Sequence, residues 1–167
     1  MADKRSERVM EENEIFCIQK ASDLATESVK KGTGPFGCVI TDMYYKIISE
    51  GNNQVTEWLD PTAHAEIVAI RQACKKVGTF DLSGCRLFSS CEPCPMCLSA
   101  IYWSRIKHVY YGNTREDAAN IGFDDAFIYD EFTKEPEKRL IKLKRVTSEN
   151  SLESFDLWCK NKDKVMY

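Results

Sequence analysis

Four residues in the 167-residue sequence have types and spacing that could do chemistry together. They are His64 and Glu66 in Thr62-Ala63-His64-Ala65-Glu66, and Cys94 and Cys97 in Cys91-Glu92-Pro93-Cys94-Pro95-Met96-Cys97. One histidine and two cysteines make three ligands for a zinc ion. Structural zinc sites close with four protein ligands, whereas hydrolytic sites keep a position open for water, so three ligands lean toward catalysis. Cys94 and Cys97, three apart across the first turn of a helix, can face one point, and a helix N-terminus favours the thiolate that a metal requires. Glu66 is turned to a different direction from His64, so it can approach a water at the metal without binding the metal. From there a carboxylate can accept the water's proton and redeliver it to a leaving group. A neutral imidazole and two thiolates also cancel the two charges of the ion, which leaves the activated water a strong nucleophile. Each piece alone is weak: a single CxxC also marks redox sites and structural zinc knuckles, and a histidine near a helix start is usually only hydrogen-bonded. Cys91 and Cys94 form a second CxxC, but only Cys94 directly follows a proline. Cys91 is assigned to a strand end, as a non-ligand.

The elements that must carry these residues can be read from periodicity and punctuation. Met10, Cys17, Ala21, Leu24, Ala25 and Ser28 recur at helical spacing and predict a first amphipathic helix over 10–29. Lys31-Gly32-Thr33-Gly34-Pro35 breaks it, and 36–41 with 46–50 read as a strand pair ended by Gly51-Asn52-Asn53. Asp60-Pro61-Thr62 offers cap residues for a second helix whose apolar face is Ala63, Ile67, Ile70, Cys74 and Val77, with Gly78 as its stop. A strand over 85–90, a helix over 94–104 started near Pro95 and a strand over 106–111 follow. The order is α-β-β-α-β-α-β. Strands separated by helices suggest crossover units, hence an α/β fold with a partly parallel sheet covered by helices on both faces. Beyond Gly112 the pattern predicts short helices over 116–120 and 126–132, a strand over 140–146 and a final helix over 151–162. No linker or repeat interrupts the chain.

Length fits one domain, and no stretch approaches the roughly 18 apolar residues of a membrane helix, so no membrane association is expected. The formal net charge of −3 gives no whole-chain reason to bind nucleic acid. Residues 1–14 lack an apolar signal-peptide core, which implies a cytoplasmic protein whose thiols stay reduced. Of the 8 cysteines, Cys17, Cys38, Cys74, Cys85 and Cys159 stand singly among apolar neighbours and read as small core residues. The run Lys138-Arg139-Leu140-Ile141-Lys142-Leu143-Lys144-Arg145 carries five positive charges. It is either a nucleic-acid patch or an edge strand guarded by lysines, and the second is favoured. The last 36 residues are net +3 and the rest −6.

H-x-E followed about thirty residues later by P-C-x-x-C is the signature of the zinc deaminases. With Gly34-Pro35-Phe36-Gly37, Asp60-Pro61-Thr62, Ala100-Ile101-Tyr102-Trp103, the run Gly122 to Tyr129 and the C-terminal Tyr167, the sequence resembles the purine branch of the cytidine deaminase superfamily, and within it the bacterial guanine deaminases. The likeness covers nearly the whole chain. It implies a three-layer α/β/α sandwich around a five-stranded mixed sheet, and hydrolysis of the purine base guanine to xanthine and ammonia. It implies one Zn2+ per subunit, held by His64, Cys94 and Cys97, with Glu66 as proton shuttle. It implies base-binding roles for Asn53, Phe36, Ala65, Trp103 and Tyr167, and a binding or proton-transfer role for Asp125. It implies a homodimer that exchanges C-terminal segments. The expected organisation is a single domain over 1–167, with 1–9 as a flexible extension and 147–167 as the exchanged segment. The hairpin Asp42-Met43-Tyr44-Tyr45 departs from the family, where a glycine turn one residue shorter is usual.

From the residues alone, Asn53 reads equally as turn chemistry, Phe36 and Trp103 as core aromatics, and Asp124-Asp125 as solvated helix-start residues. Within the fold the rival activities are deamination of tRNA adenosine and of another free base or nucleoside. Outside it stands a non-enzymatic zinc module with Cys91 as fourth ligand. The acidic balance, Asp124-Asp125 and the terminal tyrosine favour an enclosed site for a free base, and nucleic acid is disfavoured as a partner.

Overall fold

The computed structural model describes residues 4–167, which divide after Asp125 into two compact units. In the first unit the elements are α1 (Lys4–Lys30), β1 (Gly37–Asp42), β2 (Ile47–Asn52), α2 (Val55–Trp58), α3 (Ala65–Val77), β3 (Cys85–Cys91), α4 (Pro95–Trp103), β4 (His108–Asn113) and α5 (Arg115–Asn120). The sheet order is β2-β1-β3-β4. β1 lies antiparallel to both β2 and β3, while β4 runs parallel to β3 across the α4 connection. The mixed sheet and its crossover agree with the reading from periodicity.

Alternation along β1 and β3 divides the core into two layers. Cys38, Ile40, Cys85 and Leu87 pack with Ala65, Ala69 and Ala73 of α3 and Ile101 of α4. Val39 and Phe88 point the other way, against Cys17 and Ala21 of α1. The result is the three-layer α/β/α sandwich. Two strand glycines allow the helices to lie close. A Cβ on Gly51 would sit 2.4 Å from the Ala65 carbonyl oxygen, and one on Gly37 would sit 2.2 Å from that of Ala21. Gly51 therefore lets the first turn of α3, which carries the chemistry, press directly onto the sheet.

Several expectations change. The sheet has four strands among the described residues rather than five: residues 140–146, where a strand was expected, are exposed and enter no ladder. α1 begins at Lys4, well before the predicted start at Met10, so residues 4–9 of the supposed extension are helical and 1–3 lie outside the described residues. Asp60-Pro61-Thr62 makes a turn instead of a helix cap, since Asp60 Oδ1 is used by the Thr62 amide at 2.8 Å. α3 starts later, with His64 itself at the N-cap.

The second unit holds α6 (Ala126–Thr133), a 3-10 turn over Pro136–Lys138 and α7 (Glu153–Lys160). Neither α6 nor α7 has a buried residue, and Leu140, Ile141, Leu143, Val146, Phe155 and Leu157 are all exposed.

Candidate active site

Two helix starts place the chemistry. His64 is the N-cap of α3 and Cys94 the N-cap of α4, both with extended backbone and neither with a side-chain cap bond. Their side chains turn toward each other instead of toward their own helix amides. His64 Nδ1 lies 3.5 Å from Cys94 Sγ and 3.5 Å from Cys97 Sγ, and the three ligand atoms all fall within 4.8 Å of one another. A tetrahedral ion with Zn–N near 2.0 Å and Zn–S near 2.3 Å separates such atoms by about 3.6 Å. The donor set and its spacing therefore fit zinc, and His64, Cys94 and Cys97 are the residues that would hold it. Cys91 is not of the group. Its sulfur donates to the Thr114 carbonyl at 3.4 Å, and burial, then the Glu66 charge, push its thiol up to about 11.

Proton sharing inside the trio follows its geometry. The neighbouring Cys97 and then His64 bring Cys94 down to about 4, against the cost of burial. The close Cys94 sulfur and burial push Cys97 far up. His64 is raised, chiefly by its bond to Cys94.

Glu66, in the first turn of α3, is 6% exposed. Its Oε1 accepts from Ser89 Oγ at 3.0 Å and its Oε2 from Cys97 Sγ at 3.3 Å. Burial raises its pKa above the ordinary carboxylate range, and the Cys94 charge adds to this. A carboxyl in this place can both take and return a proton.

Above these groups opens a cavity of about 420 Å³ whose lining includes Phe36, Asn53, Glu66, Cys94, Phe123 and Asp125. Asn53 Oδ1 accepts the Val55 amide hydrogen at 3.1 Å, which fixes the orientation of the side-chain amide and leaves Nδ2 to donate to a ligand. The amide's oxygen is thus already engaged, a narrower role than donor and acceptor together. Gly34 presses against that amide: a Cβ there would stand 3.1 Å from Asn53 Cγ. Phe36 and Phe123 meet edge to face at 5.0 Å between ring centroids. Asp125 is raised by burial and then by the Cys94 charge, so its carboxyl feels the metal-ligand cluster.

Of the expected site residues, Phe36, Asn53, His64, Glu66, Cys94 and Asp125 line this cavity, with Cys97 beneath. Ala65 is fully buried in the core against the sheet, and Trp103, 67% exposed at the end of α4, does not line the cavity. Tyr167 is an exposed residue of the second unit. Phe123, Val55, Thr56, Arg115 and Ala118 line the cavity without having been singled out. Phe123 lies in the Gly122 to Tyr129 run that carries part of the family likeness, so its aromatic type beside Gly122 was the available signal.

Residues 11–113 match the family model of the cytidine and deoxycytidylate deaminase zinc-binding region. A guanine deaminase of Bacillus subtilis is 51% identical over 142 residues, which span 84% of this chain and 90% of that protein. An X-ray structure of guanine deaminase from Bacillus subtilis aligns with a TM-score of 0.86 at 49% identity, covering 91% of this chain and 97% of that one. A tRNA-specific adenosine deaminase of Aquifex aeolicus is 44% identical over 96 residues, 58% of this chain and 63% of that protein.

Proposed function

The chain belongs to the cytidine and deoxycytidylate deaminase family, and on that premise we propose that it hydrolyses guanine to xanthine and ammonia, with one Zn2+ per subunit. The observation that carries the reading is the cluster of His64, Cys94 and Cys97 with the Glu66 carboxylate behind it, at the floor of a cavity with ample room for a purine. When bound, zinc supplies the acidity that makes a water nucleophilic near neutral pH. Glu66 accepts the proton lost from that water and returns it to the departing 2-amino group as the C2–N bond gives way to C2–O. Asn53 Nδ2 donates to an acceptor on the purine edge, which orients the ring. Phe36 and Phe123 supply apolar walls, and Asp125 a second carboxyl for binding or proton transfer. In this reading Ala65 acts as the spacer that sets Glu66 beside His64, while Trp103 and Tyr167 would reach a base only in the assembled protein.

The cavity wall argues for a free base over RNA. Glu66, Glu92, Asp124 and Asp125 line it against the one guanidinium of Arg115. A wall so acidic repels a phosphate backbone, whereas a neutral base is indifferent to it. The zinc-loaded chain is expected to release ammonia from guanine in preference to adenine, cytosine, their nucleosides and tRNA. Conversion of tRNA adenosine with no ammonia from guanine would sink the proposal.

We further propose one deaminase domain that works as a homodimer in the cytoplasm, with C-terminal segments exchanged between subunits. No helix among the described residues is long and apolar enough to cross a membrane. Support for exchange comes from the second unit, whose apolar side chains stay exposed, and from β4, which has a strand neighbour on one side only. A groove lined by Ile15, Ile18, Val109, Tyr110 and Tyr111 accompanies that strand. The exchanged segment then begins nearer Ala126 than Thr147. Sedimentation at the mass of a single 19.2 kDa chain would rule the dimer out.

A further inference from the structure

We propose that Ser89 is the positioning residue of this site: its hydroxyl holds Glu66 Oε1, so that Oε2 is the oxygen presented to the reacting water. The inference rests on the reading of Glu66 as proton carrier and deepens it. Ser89 lies on β3 and is 1% exposed. Strand alternation puts it on the face of Cys85 and Leu87, which packs under α3, and its register partner on β1 is Cys38 of the same apolar layer. In that row a hydroxyl without a partner would be costly, on the order of 1–3 kcal/mol. Its hydrogen is given to Glu66 Oε1 at 3.0 Å.

The neighbouring Ser90 makes the contrast. Its side chain faces the opposite layer, where Oγ accepts the Gly37 amide hydrogen at 3.0 Å and so ties the start of β1 to β3. Ser89 bonds a carboxylate instead.

The two side-chain bonds to Glu66 are not equal in the loaded site. Cys97 donates to Oε2 only while it is a thiol. As a zinc ligand it is a thiolate with no hydrogen to give, and the bond to Oε2 lapses. Ser89 is unaffected by that change. Its bond to Oε1 then fixes the rotation of the carboxylate, leaving Oε2 on the side of the ligand cluster to exchange protons. A carboxylate held at one oxygen loses its freedom to swing away from the water, which matters because misplacement by about 1 Å can cost roughly 100-fold in rate.

The test compares the parent, Glu66→Gln, Ser89→Ala and Ser89→Thr as zinc-loaded full chains. Ser89→Ala is expected to keep one zinc per chain and to bind xanthine and guanine normally, with Kd and KM within about twofold, while kcat falls roughly 10- to 100-fold. Ser89→Thr, which keeps the hydroxyl, restores most of the loss. A crystal structure of Ser89→Ala shows the Glu66 carboxylate rotated from its present place. The proposal is overturned by a Ser89→Ala kcat within about threefold of the parent, by a folded Ser89→Thr as slow as Ser89→Ala, or by an unmoved carboxylate. If Glu66→Gln itself turns over normally, the reading of Glu66 fails, and the crystal structure still decides whether Ser89 holds the carboxylate.

Discussion

Glu66→Gln is expected to lower kcat for guanine by about 10²–10⁴-fold, with the fold and one zinc per chain retained. The substitution suits the site because glutamine matches glutamate in shape, and the buried pocket around position 66 sees no change in volume. Ser89 Oγ can keep a hydrogen bond at 3.0 Å to an amide oxygen as it does to Oε1. What disappears is the proton. Burial and the nearby Cys94 charge raise the Glu66 carboxyl, which brings it closer to the pH at which it must work in both directions. An amide neither takes a proton from water nor gives one to a leaving amine, so both halves of the transfer are lost together. Metal analysis and circular dichroism establish that the variant is loaded and folded, and steady-state ammonia release reads the loss. A loaded variant with near-parental kcat would falsify the assigned proton path.

The same four residues show why the site was legible before the fold. His64 with Glu66 and Cys94 with Cys97 are each within one helical turn, so their spacing alone fixes which of them share a direction. The two N-cap positions then need only be brought together by the sheet, and glycine in the strands makes that approach possible. Ser89 was not legible, because a serine in a strand carries no mark of the carboxylate that will lie above it after α3 docks. Asn53 was ambiguous as a turn residue or a ligand: Oδ1 closes the turn onto Val55, and the side chain lines the cavity.

The element order through β4 could be read because glycine and proline interrupt the chain where helices stop, and apolar periods change between those points. In the last unit the two helices could be read, as α6 and α7 match the expected 126–132 and 151–162 closely, but the strand between them could not. Leu140-Ile141-Lys142-Leu143 has the alternation of an edge strand, but pattern sets only the strand's faces, and pairing requires a partner with open backbone groups. Among the described residues none pairs with it, so the pattern stays extended and unpaired. Trp103, given a base-binding role by family likeness and read as a core aromatic from its type alone, is exposed at the C-terminal end of α4, away from the cavity that the N-terminal end builds.

Removing the ion is expected to separate the three cysteines of the Cys91–Cys97 run sharply. Cys97→Ala should lose zinc, all measurable turnover and roughly 10 °C of thermal stability at saturating zinc, because binding at about 1,000 times Kd adds about 4 kcal/mol and a domain of this size shifts by about 2–4 °C per kcal/mol. Cys97 is 0% exposed and touches both the histidine and Glu66, so no other ligating side chain is placed to take over its position. Chelation of the parent should reproduce the loss of activity and of stability, and added zinc should restore both. Cys91→Ser should do none of this. The Cys91 thiol is held at about 11 by burial and gives its hydrogen to the Thr114 carbonyl, a bond that a serine hydroxyl can remake. Zinc content by metal analysis and melting by calorimetry read both variants. One zinc per chain with parental turnover in Cys91→Ser is the result expected of a three-ligand site with an open position. Loss of zinc from Cys91→Ser would instead mean a closed centre of three cysteines and one histidine, in which no position remains for water and the hydrolytic reading has no nucleophile.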